Sequence, residues 1–288
     1  MKIADIFPSR LSFSFEVFPP KTDQPVEPLM QTLDRLYAYR PDYISCTYGA
    51  GGTNKGRNAE IVAAIHASGK STALTHFTCI GNTRADIDET LCQYLRLGVT
   101  SVLALRGDMP KGQTQTCGDF AHADALIAYI KARHPGMEVA AAAYPEKHVQ
   151  ALSIDADIEH LKRKQDNGAA FCITQLCHSA EAIERFLSRI RRAGVTLPVI
   201  VGVLPVLNKD SLIRMTLANG CSIPAPLAEI IGRYGESPED FKKAGKEFTA
   251  RLLTELPGCG INGLHLYTMN KYSDISDIIE LSGVRERI

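Results

Sequence analysis

The chain has 288 residues, 45% hydrophobic and 22% charged, which fits one large globular barrel or two average domains. Its 32 basic and 32 acidic side chains cancel, which argues against a broad surface for nucleic acid or an anionic membrane. The N-terminus lacks the apolar stretch of a signal peptide, and the longest apolar run, Leu197–Leu207, is too short to span a bilayer. We therefore expect a soluble cytoplasmic protein that binds neither nucleic acid nor membrane.

The cysteine pattern indicates free thiols. The eight cysteines are scattered and form no CxxC pair, and Cys46, Cys79 and Cys172 lie in apolar runs typical of strands. Buried thiols in a reducing compartment are the simplest interpretation. We predict no metal site.

Short apolar runs recur along the chain and alternate with helical patterns. The runs are Leu11–Phe15, Tyr43–Cys46, Thr72–Thr75, Ser101–Leu105, Val139–Ala143, Ala170–Thr174, Val199–Leu204 and Gly263–Leu266. The segments between them place apolar residues at helical spacing, and several end at a glycine that suits a left-handed C-terminal cap. This alternation predicts βαβ units and a parallel sheet. We expect an α/β fold, a (β/α)8 TIM barrel in which residues 1–288 form a single domain.

The gap between the seventh and eighth runs is too long for one helix. Ser211–Ala218, Pro224–Tyr234 and Pro238–Leu253 each show a helical pattern. No linker-like stretch or internal repeat divides the chain. We therefore predict extra helices between strands seven and eight.

Nearly every run stops at polar residues. In a parallel barrel the C-terminal ends of all strands share one face, where such barrels keep their active sites. Residues far apart in sequence would then line one pocket. We expect the ligand to lie over the mouth of the barrel.

Glu16 is the first candidate, because it follows the first run and precedes Pro19 and Pro20. A carboxylate beside Val17 and Phe18 would be partly desolvated, which would raise its pKa and suit a general acid near neutral pH. The alternative is a salt-bridged glutamate at the barrel rim.

Arg106-Gly107-Asp108 follows the most apolar run. The glycine would let the backbone approach a flat ligand, the arginine could hold an anion, and the aspartate could accept from an amide-like N–H edge. The alternative is a tight turn with an internal Arg–Asp pair.

Two glycine-containing segments resemble phosphate-binding loops but lack a glycine that the standard motif requires. Gly49-Ala50-Gly51-Gly52 lacks the third glycine of the dinucleotide fingerprint, since Asn54 stands there. Gly69-Lys70-Ser71 lacks the first glycine of a P-loop. Neither standard loop is expected to bind phosphate.

Three later segments have both a functional and a plain interpretation. Tyr144-Pro145-Glu146-Lys147-His148 gathers functional side chains in one loop, but companion metal ligands are not apparent. Leu161-Lys162-Arg163-Lys164 is most simply a solvated helix face. Gln175 could contact an amide or pterin edge, or could be a buried glutamine bonded to backbone.

Taken together, these segments resemble the methylenetetrahydrofolate reductase family over essentially the whole chain. The segments that carry the resemblance, in the family's order, are Ser14–Lys21, Thr47–Ala50, Leu105–Asp108, Ala142–His148, Leu161–Lys164, Ile173–Gln175, Gly202–Val206 and His265–Asn270. Each motif alone is weak, whereas their order and spacing are specific.

The resemblance implies a (β/α)8 barrel that holds FAD noncovalently and reduces 5,10-methylenetetrahydrofolate to 5-methyltetrahydrofolate in one-carbon metabolism. It implies a ping-pong reaction in which NADH or NADPH is the donor. Glu16 would be the acid that helps open the folate ring, Asp108 would lie near flavin and pterin, and Gln175 would orient the pterin and the nicotinamide. The positions that align with FAD contacts are Thr47, Tyr48, Ala50, His76, Arg106, Gly107, Asp108, Tyr144, His148, Ala151, Asp157, His160, Arg163 and Lys164.

The chain also departs from the family pattern. Leu176 and Cys177 stand where aromatic residues are common, and Met215 replaces an expected phenylalanine. Ser211 stands at the position of a substrate-binding glutamine, and Lys271 at that of an arginine for the folate glutamate tail. The resemblance further implies a homo-oligomer, and a partner subunit that supplies electrons is an alternative donor. The rival hypotheses are another flavin- or pterin-dependent barrel enzyme and a folate-binding subunit without turnover.

Overall fold

Eight parallel strands close into a barrel in sequential order, with the last strand paired to the first. The computed structural model describes residues 2–48, 55–108 and 118–286. The strands are β1 (Ser12–Val17), β2 (Tyr43–Cys46), β3 (Thr72–Thr78), β4 (Ser101–Leu105), β5 (Glu138–Ala143), β6 (Phe171–Thr174), β7 (Val199–Val203) and β8 (Gly263–Tyr267). The predicted α/β class and the (β/α)8 TIM barrel are confirmed.

Helices follow the strands and surround them. They are α1 (Glu27–Leu36), α2 (Lys55–Ser68), α3 (Arg84–Arg96), α4 (Ala123–Arg133), α5 (Ile154–Asp166), α6 (Ala180–Arg192), α7 (Lys209–Ala218), α8 (Ala225–Tyr234), α9 (Pro238–Glu255) and α10 (Tyr272–Ser282). The three helices predicted between β7 and β8 are α7, α8 and α9. Helix α7 begins at Lys209 rather than Ser211 because the Asn208 side chain caps it, accepting from the Ser211 N–H at 2.9 Å. Among the described residues, no helix is long and apolar enough to cross a membrane.

Three strands extend past the C-terminal ends of their apolar runs: β1 to Val17, β3 to Thr78 and β8 to Tyr267. Glu16 lies inside β1, where it pairs in register with Ser45 and Tyr267, and His76 lies inside β3 opposite Leu103. Backbone pairing does not depend on side-chain polarity, so a polar residue at the last interior layer does not end a strand. The placement of Glu16, His76 and Tyr267 just after a strand was therefore wrong.

The N-terminal end of the barrel is plugged. Ile3 and Phe7 pack on the interior residues Tyr43 and Phe171 of β2 and β6. The buried Glu138 carboxylate accepts from the Ile3 and Ala4 N–H groups at 3.0 and 2.8 Å. This packing closes one end of the barrel, so the open cavities lie at the other end.

Tyr267 spans the mouth of the barrel from β8 to β6. Its hydroxyl donates to the Thr174 carbonyl at 2.8 Å, across β7. Gly202 of β7 makes this crossing possible, because a Cβ there would lie 2.2 Å from the Tyr267 hydroxyl and 2.5 Å from the Thr174 oxygen. A glycine near the C-terminal end of β7 thus leaves room for the tyrosine that closes the bottom of the mouth.

We predict that Gly202→Ala lowers the free energy of unfolding by about 1–3 kcal/mol, the usual cost of overpacking a close contact. Gly232→Ala is the matched control, because a Cβ at this residue of α8 meets nothing within 4 Å. Urea unfolding of both variants measures the difference. Equal stability of Gly202→Ala and the wild type would contradict the crossing.

Candidate active site

Residues from the ends of β2 to β6 line one cavity at the mouth of the barrel, with a volume of about 350 Å³. The predicted site residues that line it are Thr47, Tyr48, His76, Arg106, Gly107, Asp108, Tyr144, His148 and Gln175. Because the strands are parallel, their C-terminal ends meet on this rim. The structure therefore brings together residues that are up to 128 positions apart in the chain.

A second cavity, of about 130 Å³, continues from the mouth toward the outer helices. It shares Arg106, Tyr144 and His148 with the mouth cavity. The predicted residues Ala151, Asp157, His160 and Lys164 line it, together with His122 and Asp124 of the α4 region, which the sequence had not indicated. The two cavities form one elongated cleft. Ala50 and the Gly49–Gly52 segment lie outside the described residues.

The turn after β4 is built around Gly107. Its φ is +89°, and a Cβ would lie 2.8 Å from the Ile80 side chain, so a glycine is required. Arg106 Nε donates to the Gly107 carbonyl at 3.3 Å. Within the described part of the chain, Arg106 forms no ion pair with Asp108, so the internal pair considered as an alternative is not present.

The loop after β5 folds back on the start of α5. Asp157 Oδ2 accepts from the His148 N–H at 2.7 Å, and Lys147, with φ of +91°, donates from Nζ to the Ala151 carbonyl at 2.7 Å. The Gln150 N–H donates to His148 Nδ1 at 3.1 Å. Burial and the charge of Arg106 lower the pKa of His148. A neutral His148 that accepts at Nδ1 carries its proton on Nε2, as a donor.

Lys164 turns inward from α5. Its ammonium donates to the Ala142 carbonyl at 2.8 Å and lies 5.8 Å from the centre of the Tyr144 ring. Burial lowers its pKa. The interpretation of this segment as a solvated helix face is therefore wrong for Lys164, although it fits Lys162, which pairs with Asp166 at 3.3 Å.

Arg163 is exposed beside the outer cavity. Its guanidinium contacts the His160 ring and lies 3.7 Å from Asp124 Oδ2. The His122 ring lies 6.1 Å from that of His160. The outer end of the cleft therefore combines cationic and imidazole groups with the carboxylates of Asp124 and Asp157.

Glu16 lies between two imidazoles. Its Oε2 is 3.2 Å from His76 Nε2 and 3.6 Å from His265 Nε2, and its side chain is 20% exposed. Burial raises the pKa of Glu16, but the charges and hydrogen bonds of His76 and His265 outweigh burial and lower the pKa to about 2. The sequence-based expectation of a raised pKa is wrong, because it considered only the apolar neighbours Val17 and Phe18.

His265 is held inside the barrel by two serines. Ser14 Oγ lies 2.8 Å from Nδ1, Ser45 Oγ lies 3.1 Å from Nε2, and the Tyr43 ring stacks on the imidazole at 5.5 Å. Burial lowers the pKa of His265, and Glu16 partly offsets this effect. His265 was not among the predicted site residues. Its signals in the sequence were its place in the family-like segment His265–Asn270 and its position within the last apolar run.

A turn after β8 holds the backbone around Glu16. Thr268 donates to the Glu16 carbonyl from N–H at 3.1 Å and from Oγ1 at 2.6 Å. The Asn270 side chain accepts from the Phe18 N–H at 3.2 Å and donates to its carbonyl at 2.8 Å. Met269 and Asn270 adopt φ of +50° and +54° to make these bonds. This turn thus holds the backbone of Glu16 and Phe18 in place.

Gln175 is engaged on both sides of its carboxamide. Nε2 donates to Asn219 Oδ1 at 2.8 Å, and Oε1 accepts from the Leu176 N–H at 2.8 Å. Ser211 and Lys271 are not among the described residues that line the cleft. Ser211 Oγ contacts Met215 and Arg214 on α7, and Lys271 is exposed at the start of α10. Their roles in substrate binding stay predictions.

Histidine, cysteine, aspartate and glutamate are the side chains of the described residues that could ligate a metal ion. Across residues 2–48, 55–108 and 118–286, no three His, Cys, Asp or Glu side chains are grouped to hold a metal ion. The carboxylate of Glu146 instead contacts Ser222, accepting from its N–H at 3.1 Å.

The fold and cleft define a (β/α)8 barrel with a ligand site at the C-terminal rim. A family model described as "Methylenetetrahydrofolate reductase" matches residues 2–283. The 5,10-methylenetetrahydrofolate reductase of Escherichia coli (strain K12) is 32% identical over 276 residues, which cover 96% of this chain and 92% of that protein. The chain belongs to the methylenetetrahydrofolate reductase family.

Plant relatives are longer. The probable methylenetetrahydrofolate reductase (NADH) of Oryza sativa subsp. japonica is 32% identical over 290 residues, which cover 96% of this chain and 49% of that protein. The chain thus spans about half the length of this relative.

Solved structures share the barrel. An uncharacterized protein from Clostridium thermocellum, described as binding two copies of 5-methyl-5,6,7,8-tetrahydrofolic acid, matches with a TM-score of 0.66 at 14% identity, covering 100% of both chains. The dihydropteroate synthase of Coxiella burnetii, in complex with pteroic acid, matches with a TM-score of 0.52 at 10% identity, covering 96% of this chain and 94% of that one. At such identities the likeness shows the fold alone.

We predict that Glu16 is ionised from pH 7 down to pH 4, because its pKa is about 2. The stabilisation from its imidazole partners is complete above the unfolded pKa of about 4.5 and is lost as the pH falls toward 2. Infrared difference spectra between wild type and Glu16→Gln report the carboxyl group directly. A protonated carboxyl signal above pH 4 would contradict the two-imidazole arrangement.

Proposed function

We propose that this protein reduces 5,10-methylenetetrahydrofolate to 5-methyltetrahydrofolate, with FAD in the cleft and NADH or NADPH as the reductant. Family membership supports the reaction class. The observation that carries the proposal is the Glu16 carboxylate held between His76 and His265, where His76 also lines the mouth cavity. This arrangement supplies a proton-handling group beside the place where a substrate would lie.

The residues of the cleft fit FAD. The mouth cavity would take a flat ring system, and the connected outer cavity suits an elongated dinucleotide arm better than FMN, which lacks that arm. Arg106, Lys164 and Arg163 supply positive charge along the cleft. The Asp157 carboxylate is already hydrogen-bonded to the His148 N–H, which reduces its repulsion of a diphosphate. Bound there, FAD would supply the two-electron redox chemistry.

The protein's own groups would orient substrates and move the proton. Gln175, after β6, offers a carboxamide to the mouth cavity, and Asp108, after β4, offers a carboxylate. Because one cavity serves the mouth, we infer that the nicotinamide and the folate occupy it in turn.

Glu16 and its imidazole partners would act as one unit in opening the folate ring. A carboxylate with a lowered pKa is a poor acid alone. Oε2 lies 3.2 Å from His76 Nε2, close enough for a protonated imidazole to form an ion pair with the carboxylate. We therefore assign the proton to the pair rather than to an isolated neutral Glu16.

Glu16→Gln should separate the two half-reactions. Reduction of the bound flavin by NADH or NADPH needs no proton from Glu16 and should be unchanged. The folate half-reaction should slow by about 10²-fold or more, the range for a lost general acid. Anaerobic stopped-flow absorbance measures both.

The control variant is Glu89→Gln, an exposed glutamate on α3. It should leave both half-reactions at the wild-type rate. Equal slowing of both half-reactions by Glu16→Gln would show that Glu16 is structural and would overturn the role proposed for it.

A further inference from the structure

We propose that Asn219 is a positioning residue that fixes which way the Gln175 carboxamide faces, and so sets the order of donor and acceptor presented to the substrate. The inference rests on the proposed function, since it concerns the same substrate. Asn219 is the C-terminal cap of α7 and lies 44 positions from Gln175 in sequence. No motif in the sequence connects the two.

Three hydrogen bonds of the same length form a chain through the two side chains. Asn219 Nδ2 donates to the Met215 carbonyl at 2.8 Å. Gln175 Nε2 donates to Asn219 Oδ1 at 2.8 Å, and the Leu176 N–H donates to Gln175 Oε1 at 2.8 Å. Each end of the chain is a backbone group, which has a fixed donor or acceptor character.

The two backbone ends determine the orientation of both amides. If Asn219 flipped, its oxygen would face the Met215 carbonyl, and two acceptors would meet. If Gln175 flipped, its NH₂ group would face the Leu176 N–H and its oxygen would face Asn219 Oδ1. A side-chain amide can normally turn over at little cost, because its oxygen and nitrogen are nearly the same size. Here a flip of either side chain breaks two of the three hydrogen bonds.

The hydrogen-bond donor and acceptor that the Gln175 carboxamide has left over then lie in a fixed arrangement. Gln175 retains one N–H on the side of α7 and one acceptor position on the side of Leu176, and it lines the mouth cavity. A planar substrate with an adjacent acceptor and donor can bind both only in one direction. Pterin rings and the nicotinamide carboxamide both have such an edge. Asn219 therefore selects the direction in which a substrate lies over the mouth.

A double-mutant cycle tests whether Asn219 acts through Gln175. Asn219→Leu should raise the KM for methylenetetrahydrofolate about fivefold, as expected for losing one neutral hydrogen bond, with a smaller change in kcat. In a Gln175→Leu background, Asn219→Leu should add no further change in KM. A KM effect of Asn219→Leu that persists in the Gln175→Leu background would overturn the proposal.

Asn167→Leu is the matched structural control. Asn167 also caps the C-terminus of a helix, α5, and donates to the Asp124 carbonyl at 2.9 Å, but it does not contact Gln175. It should lower the unfolding temperature as Asn219→Leu does and leave the folate KM unchanged. A similar KM change in both variants would show that loss of a helix cap alone explains the result and would overturn the proposal.

A second readout does not depend on the reaction. In protein with ¹⁵N-labelled glutamine side chains, the Gln175 NH₂ signals, assigned by their loss in Gln175→Leu, should exchange slowly with water in the wild type and faster in Asn219→Leu. Unchanged exchange would overturn the positioning role. If the wild type fails to reduce methylenetetrahydrofolate, the proposed function is wrong, and the exchange measurement still decides the role of Asn219.

Discussion

Closure of the parallel barrel between β1 and β8 is the constraint on which the rest of the structure depends. The register places Glu16 opposite Tyr267, and the same ladder brings His265 beside Ser14. His76 reaches the same layer from β3. Since all strands run in one direction, this layer lies just below the rim that carries the cleft. Closure of the barrel thus brings a carboxylate, two imidazoles and the Tyr267 side chain together at the bottom of the mouth.

The charges and hydrogen bonds around Glu16 then determine whether its carboxylate is ionised. A buried carboxylate near apolar groups alone would be neutral at higher pH, whereas one flanked by imidazoles is ionised. The backbone turn at Thr268 and Asn270 and the serines around His265 fix these groups before any ligand arrives. Such preorganisation is what allows a small number of side chains to control a proton. The cleft beside them is lined by the cationic side chains of Arg106 and Lys164.

The fold was largely predictable from the sequence, while the contacts within the site were not. Apolar runs bounded by glycines indicated the strands and helices, including α7 to α9, because periodicity is a local property. Residues such as Tyr144 and Gln175 could be assigned to one face for the same reason. The pKa of Glu16 was mispredicted because its partner His265 lies 249 positions away. The same holds for the roles of Asn219 and Asn270 and for the crossing of Tyr267 over Gly202. Each role depends on contacts between residues far apart in the chain, which a local sequence pattern does not indicate.

The central claim is that one cleft at the rim holds FAD and serves both the nicotinamide and the folate. Anaerobic absorbance spectroscopy of the purified protein tests it most directly. The account predicts that the protein releases FAD on denaturation, that NADH or NADPH bleaches the flavin, and that methylenetetrahydrofolate added after nucleotide removal restores the colour with formation of 5-methyltetrahydrofolate. A protein that takes up no flavin on reconstitution, or whose reduced flavin is not reoxidised by methylenetetrahydrofolate, would contradict it.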